Sequence, residues 1–425
     1  MKVAIYSLGC KVNIYESEYV SQLLKNSNYE IVDFNDKADI YIINTCSVTN
    51  ESDRKSRKAI REAKKANPNA IVVAMGCYTQ INPENNEADI VIGNKDKSKI
   101  LKIIEDYKKN NQNNTVIYDL RINNEFEDMV INDFETHTRA FVKIQDGCNA
   151  FCSYCIIPYT RGPVRSKKFE TVIEEVTNLV NNGYKEIVLT GIHTGRYGID
   201  INTNLEVLLS NLVKIPNIYR IRLSSIEINE ITEGIIKLIK DNKVMAKHLH
   251  IPLQSGSDKI LKLMNRKYDL PFFLKKIESI RSEIPDISIT TDLIVGFPTE
   301  TDADFQETMD TLNKVKFTKI HTFPYSRRDN TKAASMEGQI SGDIKKKRVK
   351  TVINLSNKFE NEYYQNRIGK QYDVLTEKRK DGTIVGHTTN YIPIVINNIM
   401  DNNEIVEVKI DKVTDDNVVY GSIIN

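Results

Sequence analysis

Cysteine is scarce in this 425-residue chain: there are six, and none lies beyond position 155. So few thiols exclude a disulfide-built secreted scaffold. No apolar run approaches the roughly 18–20 residues needed to cross a bilayer. The amino terminus also lacks the apolar core of a signal peptide, because the short stretch 3–6 meets Ser7 and Gly9 at once. Net charge is nearly absent: 59 Lys and Arg against 57 Asp and Glu leave +2. That balance excludes a polycationic nucleic-acid coat. With 40% hydrophobic and 27% charged residues, the chain is not too polar to fold. It has no solenoid-length repeat and no low-complexity tract. The expected compartment is the cytoplasm, where thiols stay reduced. Free cysteines there are buried apolar residues, catalytic thiols or metal ligands. The length suggests about three domains.

The expected fold class is α/β. Residues 2–8, 39–44, 70–75 and 89–92 read as strands, with helices near 15–26 and 52–66. That alternation predicts an amino-terminal parallel α/β domain over 1–115. Residues 116–137 read as a linker, acidic through Glu125, Glu127, Asp128, Asp133 and Glu135. Six further strands are expected at 140–145, 186–190, 219–223, 248–253, 288–295 and 319–322, with helices between them. They predict a partial, open version of the eightfold barrel over 138–365. Residues 366–425 change to short strands split by Asp381-Gly382, Asp401-Asn402 and Asp415-Asp416. They predict a small β-barrel of about five strands.

Cys148, Cys152 and Cys155 form C-x3-C-x2-C directly after the strand 140–145. The loop lies on the catalytic face of the predicted barrel. Three clustered thiolates suit a soft metal. A structural zinc site wants a fourth protein ligand, and no His or fourth Cys is nearby. An iron–sulfur cubane held by three cysteines instead leaves one iron open.

Cys10, Cys46 and Cys77 are far apart in sequence. Each follows the carboxyl end of a predicted strand, and in a parallel sheet those ends share one edge. Three distant thiols are therefore expected to converge.

The triplet and its position resemble the radical S-adenosylmethionine (SAM) enzymes. The strings Ser7-Leu-Gly-Cys-Lys-Val-Asn-Ile-Tyr-Glu-Ser-Glu18, Ile43-Asn-Thr-Cys-Ser-Val-Thr-Asn50 and Met75-Gly-Cys77 look like the amino-terminal domain of the radical SAM methylthiotransferases. The loop Gln145-Asp-Gly-Cys-Asn-Ala-Phe-Cys-Ser-Tyr-Cys-Ile-Ile-Pro158 and the following Arg161-Gly-Pro-Val-Arg-Ser166 look like that family's cluster loop. The last domain is similar to the TRAM module, an RNA-binding fold. The resemblance covers essentially the whole chain. Gly9-Cys10-Lys11-Val12-Asn13 resembles the branch that acts on N6-threonylcarbamoyladenosine next to the tRNA anticodon (position 37). The other branches act on an isopentenyladenosine tRNA or on a ribosomal-protein aspartate.

The resemblance implies two [4Fe–4S] clusters and SAM as cofactors. The cluster on Cys148, Cys152 and Cys155 would generate a 5′-deoxyadenosyl radical, which would take hydrogen from carbon 2 of the adenine. The cluster on Cys10, Cys46 and Cys77 would hold the inserted sulfur, and a second SAM would supply methyl. Tyr154 stands where the family has an aromatic residue near the adenine of SAM. Gly191, Glu227 and Asp292 match the segments that would approach the rest of the cofactor. His193 reads as a supporting residue. No general acid/base triad is evident.

The implied partners are tRNA through its anticodon stem-loop, an electron donor and a sulfur source, with no membrane. The oligomeric state is open. Residues 51–65 hold seven Lys/Arg against three acids, a net +4, and residues 327–350 hold eight against three, a net +5. Arg161, Arg165, Lys167 and Lys168 follow the cluster loop. These groups are expected to meet phosphates. Residues 367–425 carry seven Lys/Arg and nine acids, a net −2. RNA binding there would need a local patch, expected at Lys378, Arg379 and Lys380 with Tyr391.

Overall fold

The computed structural model describes residues 1–84, 87–110, 114–122, 125–134, 138–379, 381–397 and 401–424. Glu135 and Lys380 lie outside the described residues. The amino-terminal sheet consists of β1 (Lys2–Ser7), β2 (Glu30–Val32), β3 (Ile40–Thr45), β4 (Ile71–Gly76), β5 (Ile90–Ile92) and β6 (Asn114–Val116). All are parallel, in the order β2-β1-β3-β4-β5-β6. β3 is buried throughout, as a central strand covered on both faces must be. Val20, Leu24, Ile100 and Ile104 of helices Lys11–Asn26 and Ile100–Asn110 cover one face. Ala59, Ile60 and Ala63 of helix Asn50–Ala66 cover the other. The Thr49 hydroxyl starts that helix by accepting from the Ser52 amide.

The segment joining this sheet to the next unit has neither helix nor strand between 117 and 134 among its described residues. It is nonetheless packed. Met129, Ile131 and Phe134 are buried in the central core, and the Ile131 amide donates to Glu175 at 3.0 Å.

The central strands are β7 (Ala140–Lys143), β8 (Gln145–Asp146), β9 (Arg165–Ser166), β10 (Glu186–Thr190), β11 (Arg220–Leu223), β12 (His248–His250), β13 (Ser288–Val295) and β14 (Lys319–Pro324). β8 and β9 form a small antiparallel ribbon. The other six form the parallel sheets β11-β10-β7 and β12-β13-β14. Parallel bridges Ile221–Met245 and Ser225–His250 join them edge to edge. The result is the open six-stranded barrel expected from the alternation.

β15 (Gln371–Lys378), β16 (Ile384–Thr388), β17 (Pro393–Ile396), β18 (Ile405–Val413) and β19 (Val419–Ile423) close into a barrel in the order β15-β16-β17-β19-β18. It docks on the amino-terminal ends of β10 and β11. Arg220 donates to the carbonyls of His387 and Asp373, and Arg222 to those of Thr388 and Thr389. Buried Glu186 accepts from both guanidiniums, at 3.0 and 2.7 Å.

Burial opposes the charge on Glu186, but Arg222, Arg220 and Arg139 hold its pKa at about 2, below its ordinary 4.5. A carboxyl lowered in this way stabilises the fold above its unfolded value and loses that effect as pH falls through the folded one. Glu186→Gln is therefore expected to be less stable than wild type at neutral pH. In urea titrations the gap should narrow between about pH 5 and about pH 2.

Among the described residues no helix is long and apolar enough to cross a membrane.

Candidate functional site: two thiol sets and a buried ion network

β1, β3 and β4 are neighbours in register, with Ser7 opposite Asn44 and Thr45 opposite Gly76. Their carboxyl ends are therefore level, and the chain places Cys10, Cys46 and Cys77 just beyond them. Gly9 makes the approach possible. It has φ +99°, and a Cβ there would lie 2.8 Å from the Cys46 Sγ. Gly76 likewise has φ +110°, directly before Cys77. Burial, then Cys77 and Cys10, push the Cys46 thiol up to about 11. Asn94, past the end of β5, donates to the Cys77 Sγ at 3.4 Å and to the Thr160 carbonyl at 2.8 Å. It obeys the same strand-end rule as the cysteines, and that rule is the signal that could have found it.

Cys148, Cys152 and Cys155 follow β8 on the carboxyl side of the barrel. Burial, then Cys152 and Cys148, raise the Cys155 thiol to about 12. Cys46 and Cys155, raised first by burial, stay protonated until a cation joins them, and a bound metal deprotonates such thiols outright. Among the described residues no three His, Cys, Asp or Glu side chains stand closely enough to ligate one ion. A cubane is wider than an ion and spaces its ligands further apart, so two three-thiol sets suit it.

The other sequence-predicted residues surround the second set. Tyr154 is packed beside Ile260, Met264 and Phe297. Gly191 faces the Gln145 side chain, whose Oε1 accepts from the His193 amide. His193 Nδ1 stands 3.3 Å from the Cys148 Sγ, and its Nε2 lies 2.9 Å from Glu230. Glu227 pairs with Arg266. Arg266 also donates to the Cys152 Sγ and the Tyr154 hydroxyl, each at 3.4 Å. Arg266 sits in a loop without a local motif, and sequence reasoning missed it. A cavity of about 260 Å³ opens here, lined by Cys152, His193, Glu227 and Arg266 among others. Asp292 is further along the barrel, paired with His250 at 3.1 Å.

A buried ion network joins the two sets. Glu16 accepts from Lys97, from Lys143 at 2.9 Å and from Arg161 at 2.9 Å. Asp146 accepts from Lys143 at 2.7 Å, Arg161 at 3.1 Å and Arg165 at 3.4 Å. Arg161 also donates to Asn13 at 2.7 Å, and Asn13 clamps the Leu8 and Thr45 carbonyls beside Cys10 and Cys46. Four cations thus meet two carboxylates. Arg161 also feels the Cys77 and Cys10 thiols, so an anionic cluster held there would offset the surplus.

These positions correct two expectations. Arg161, Arg165 and Lys167 are buried and paired, Lys167 with Glu175, so they do not form a phosphate-binding surface. Of that group Lys168 alone is exposed. Tyr391 does not join Lys378 and Arg379 on an outer face. Its ring stacks on His387 (4.9 Å), faces His248 (4.8 Å) and lies under Arg222 (4.5 Å). In the basic helix 51–65, Arg54 pairs with Glu51 and Lys58 with Glu62 within the helix, while Arg61 pairs with Glu87 and Lys64 with Asp89 beyond it. In 327–350, Arg328 and Arg348 are buried in ion pairs, while Arg327, Lys332, Lys346, Lys347 and Lys350 stay exposed.

Comparison with known proteins agrees with this geometry. Residues 142–312 match the model of the Radical SAM superfamily, and residues 2–93 match the Uncharacterized protein family UPF0004. The chain is 42% identical over 422 residues to the threonylcarbamoyladenosine tRNA methylthiotransferase MtaB of Bacillus subtilis, covering 96% of this chain and 94% of that one. It is 34% identical to the tRNA-2-methylthio-N(6)-dimethylallyladenosine synthase of a Hydrogenobaculum species, covering 92% of each. In fold it is similar to the radical SAM methyltransferase TsrM of Kitasatospora setae. The TM-score is 0.57 at 13% identity, over 76% of this chain and 72% of that one. A thiol triplet on a six-stranded open barrel, a second thiol set on a parallel sheet, and identity sustained along nearly the whole chain lead to one assignment: this protein belongs to the radical SAM methylthiotransferase family, in its MtaB branch.

Proposed function

We propose that this enzyme converts N6-threonylcarbamoyladenosine next to the tRNA anticodon to its 2-methylthio derivative. The carrying observation is the pair of thiol sets, each gathered at strand ends and bridged by one buried ion network. As a family member it uses SAM and [4Fe–4S] clusters. Cys148, Cys152 and Cys155 would hold one cluster and Cys10, Cys46 and Cys77 the other. Together with SAM these groups supply a carbon-centred radical for hydrogen abstraction and a sulfur for insertion.

The chain's own residues bind, orient and shield. Glu227 offers a carboxylate, and Arg266 a guanidinium, to a cofactor carrying both an ammonium and a carboxylate. Tyr154, held through its hydroxyl by Arg266, would set an aromatic ring beside the cofactor. Gly191 keeps the end of β10 free of a side chain, and Asp292, oriented by His250, would accept from a hydroxyl further along the barrel. The parallel barrel keeps bulk water from the reacting carbon and fixes it near both thiol sets.

Residues 1–115 would carry the auxiliary cluster, 116–137 would tie the units together, 138–365 would run the radical step, and 366–425 would support RNA binding. Exposed Arg327, Lys332, Lys346, Lys347 and Lys350 suit the phosphates of an anticodon stem-loop. An electron donor and a sulfur source complete the cycle, in the cytoplasm. Nucleoside analysis of tRNA from a deletion strain tests the proposal. Loss of the methylthio group from threonylcarbamoyladenosine is expected, and an unchanged nucleoside profile overturns it.

A further inference from the structure

β14 is the edge strand of its sheet, beside β13. Its residues alternate between the inside of the barrel and the outer core. Ile320 is buried in the outer core, whereas His321 stands opposite Asp292 with its ring 5.7 Å from that of His250. Phe323, two residues on, therefore faces inward. It is nonetheless 45% exposed, so the barrel is open at this level. Its register partner Ile294 packs, as Tyr154 does, against the cluster of Ile260, Met264, Phe297 and Tyr325. Ile294 thus links Phe323 to the side of the barrel that carries Cys148, Cys152 and Cys155.

The chain then runs on to the other thiol set. The Ser326 hydroxyl accepts from the Asn50 amide at 3.0 Å, and Arg328 donates to Asn50 and Ser47, each at 2.7 Å. Ser47 follows Cys46 directly. Phe323 therefore lies between elements that carry the two thiol sets.

Pro324, on the opposite face of the strand, opens a groove of about 450 Å³ along helix Gly342–Gln365, lined by Lys345, Lys346, Val349, Lys350 and Ile353. Lys345 is engaged within it, donating to the Tyr325 carbonyl at 3.1 Å and lying over the Tyr325 ring. Lys346 and Lys350 are exposed. Lys346 lies 4.0 Å from Asp343, and Lys350 has no ion pair among the described residues. The two stand one turn apart, about 6 Å of helix rise, a spacing comparable to that of successive phosphates.

A rim with cations outside and an aromatic ring inside suits a single RNA strand that must deliver one base. Phosphates take the lysines, and the base takes the ring, because every base has a π-face. A folded acidic protein would meet the lysines but leave the inward-facing Phe323 unused.

We infer that this rim seats the substrate nucleotide: Phe323 stacks on the extruded adenine, and Lys346 and Lys350 hold the phosphates beside it. This rests on the proposed function and adds to it the surface that receives the RNA.

The test uses anaerobically reconstituted full-length enzyme and two anticodon stem-loops, one carrying threonylcarbamoyladenosine and one abasic at that position. Dissociation constants are read by fluorescence anisotropy across a potassium chloride series, alongside iron content and melting temperature. Phe323→Ala should weaken the intact stem-loop about 5- to 150-fold, the range of one base–aromatic stack, and leave the abasic one unchanged. Phe323→Tyr should bind as wild type does. The double variant Lys346→Gln/Lys350→Gln should weaken both stem-loops alike and flatten the dependence of log Kd on log salt by about 1.4, or about 0.7 for each phosphate lost from a single strand. Equal effects of Phe323→Ala on the two stem-loops overturn the inference, and so does an unchanged salt slope in the lysine variant. An unchanged slope with slower electron uptake from reduced flavodoxin, but normal uptake from dithionite, would give the groove to a protein donor instead. A wild-type dimer that the lysine variant splits would give it to a second copy of the chain. Failure of the wild type to methylthiolate the threonylcarbamoyl stem-loop overturns the proposed function itself, a separate outcome, because the binding comparison is read without turnover.

Discussion

Replacing Cys10 with alanine is expected to halve the iron bound, from about eight ions per chain to about four. The variant should still cleave SAM under reducing, anaerobic conditions, yet leave threonylcarbamoyladenosine without its sulfur. The reason is spatial separation. Cys10 belongs to the thiol set on β1, β3 and β4, whereas Cys148, Cys152 and Cys155 belong to the barrel. Cys152→Ala should instead lose both cleavage and product, because SAM would meet the barrel set. Iron and sulfide analysis with chromatography of 5′-deoxyadenosine separates the two variants. If Cys10→Ala also abolishes cleavage, the division into two roles fails.

The second large effect is on stability. Glu16 is buried and accepts from Lys97, Lys143 and Arg161. Burial opposes its charge, but Arg161, Lys143 and Lys97 hold its carboxyl well below the ordinary range. Glu16→Gln would leave Lys97 with no carboxylate, and Lys143, Arg161 and Arg165 with Asp146 alone. Breaking a buried ion pair from one side typically costs about 3–5 kcal/mol. A loss of that size should appear as a lower midpoint in urea unfolding with an unchanged slope. The sign of the pH dependence follows from the lowered carboxyl. The stabilisation is complete above about pH 4.5 and fades as acid protonates Glu16, so wild type and variant should converge at low pH. Glu16→Asp should fall between them, since it keeps the charge but shortens the reach.

Much of the architecture is legible in the amino-acid order. Strand–helix alternation gives both parallel units, and the clustered turns after residue 366 give the last barrel. β2 and β6 escape notice because three-residue edge strands carry too little periodicity to register. The thiols are legible for two different reasons. One set is adjacent in sequence, and the other shares a position at strand ends. Charge is where linear reading fails. Arg161, Arg165 and Lys167 look like a basic surface because their partners Glu16, Asp146 and Glu175 lie on other segments. Only the folded chain shows the guanidiniums turned inward. Tyr391 misleads likewise, since an aromatic in a β domain looks available to a base until Arg222 and two histidines are found around it.

The Glu16–Arg161–Asp146 network has a mechanical meaning as well as an electrostatic one. Its members come from helix Lys11–Asn26, from the ribbon strand β8 and from helix Ile157–Arg161. It therefore rivets the edge that carries Cys10, Cys46 and Cys77 to the loop that carries Cys148, Cys152 and Cys155, and sets a fixed gauge between them. An enzyme with a fixed gauge cannot close its jaws on a buried base. The travelling part must be the nucleotide, which has to leave its stack and swing into the gap. Turnover should then depend on how easily the anticodon loop gives up that base, and tRNAs with a looser loop should react faster than tightly stacked ones.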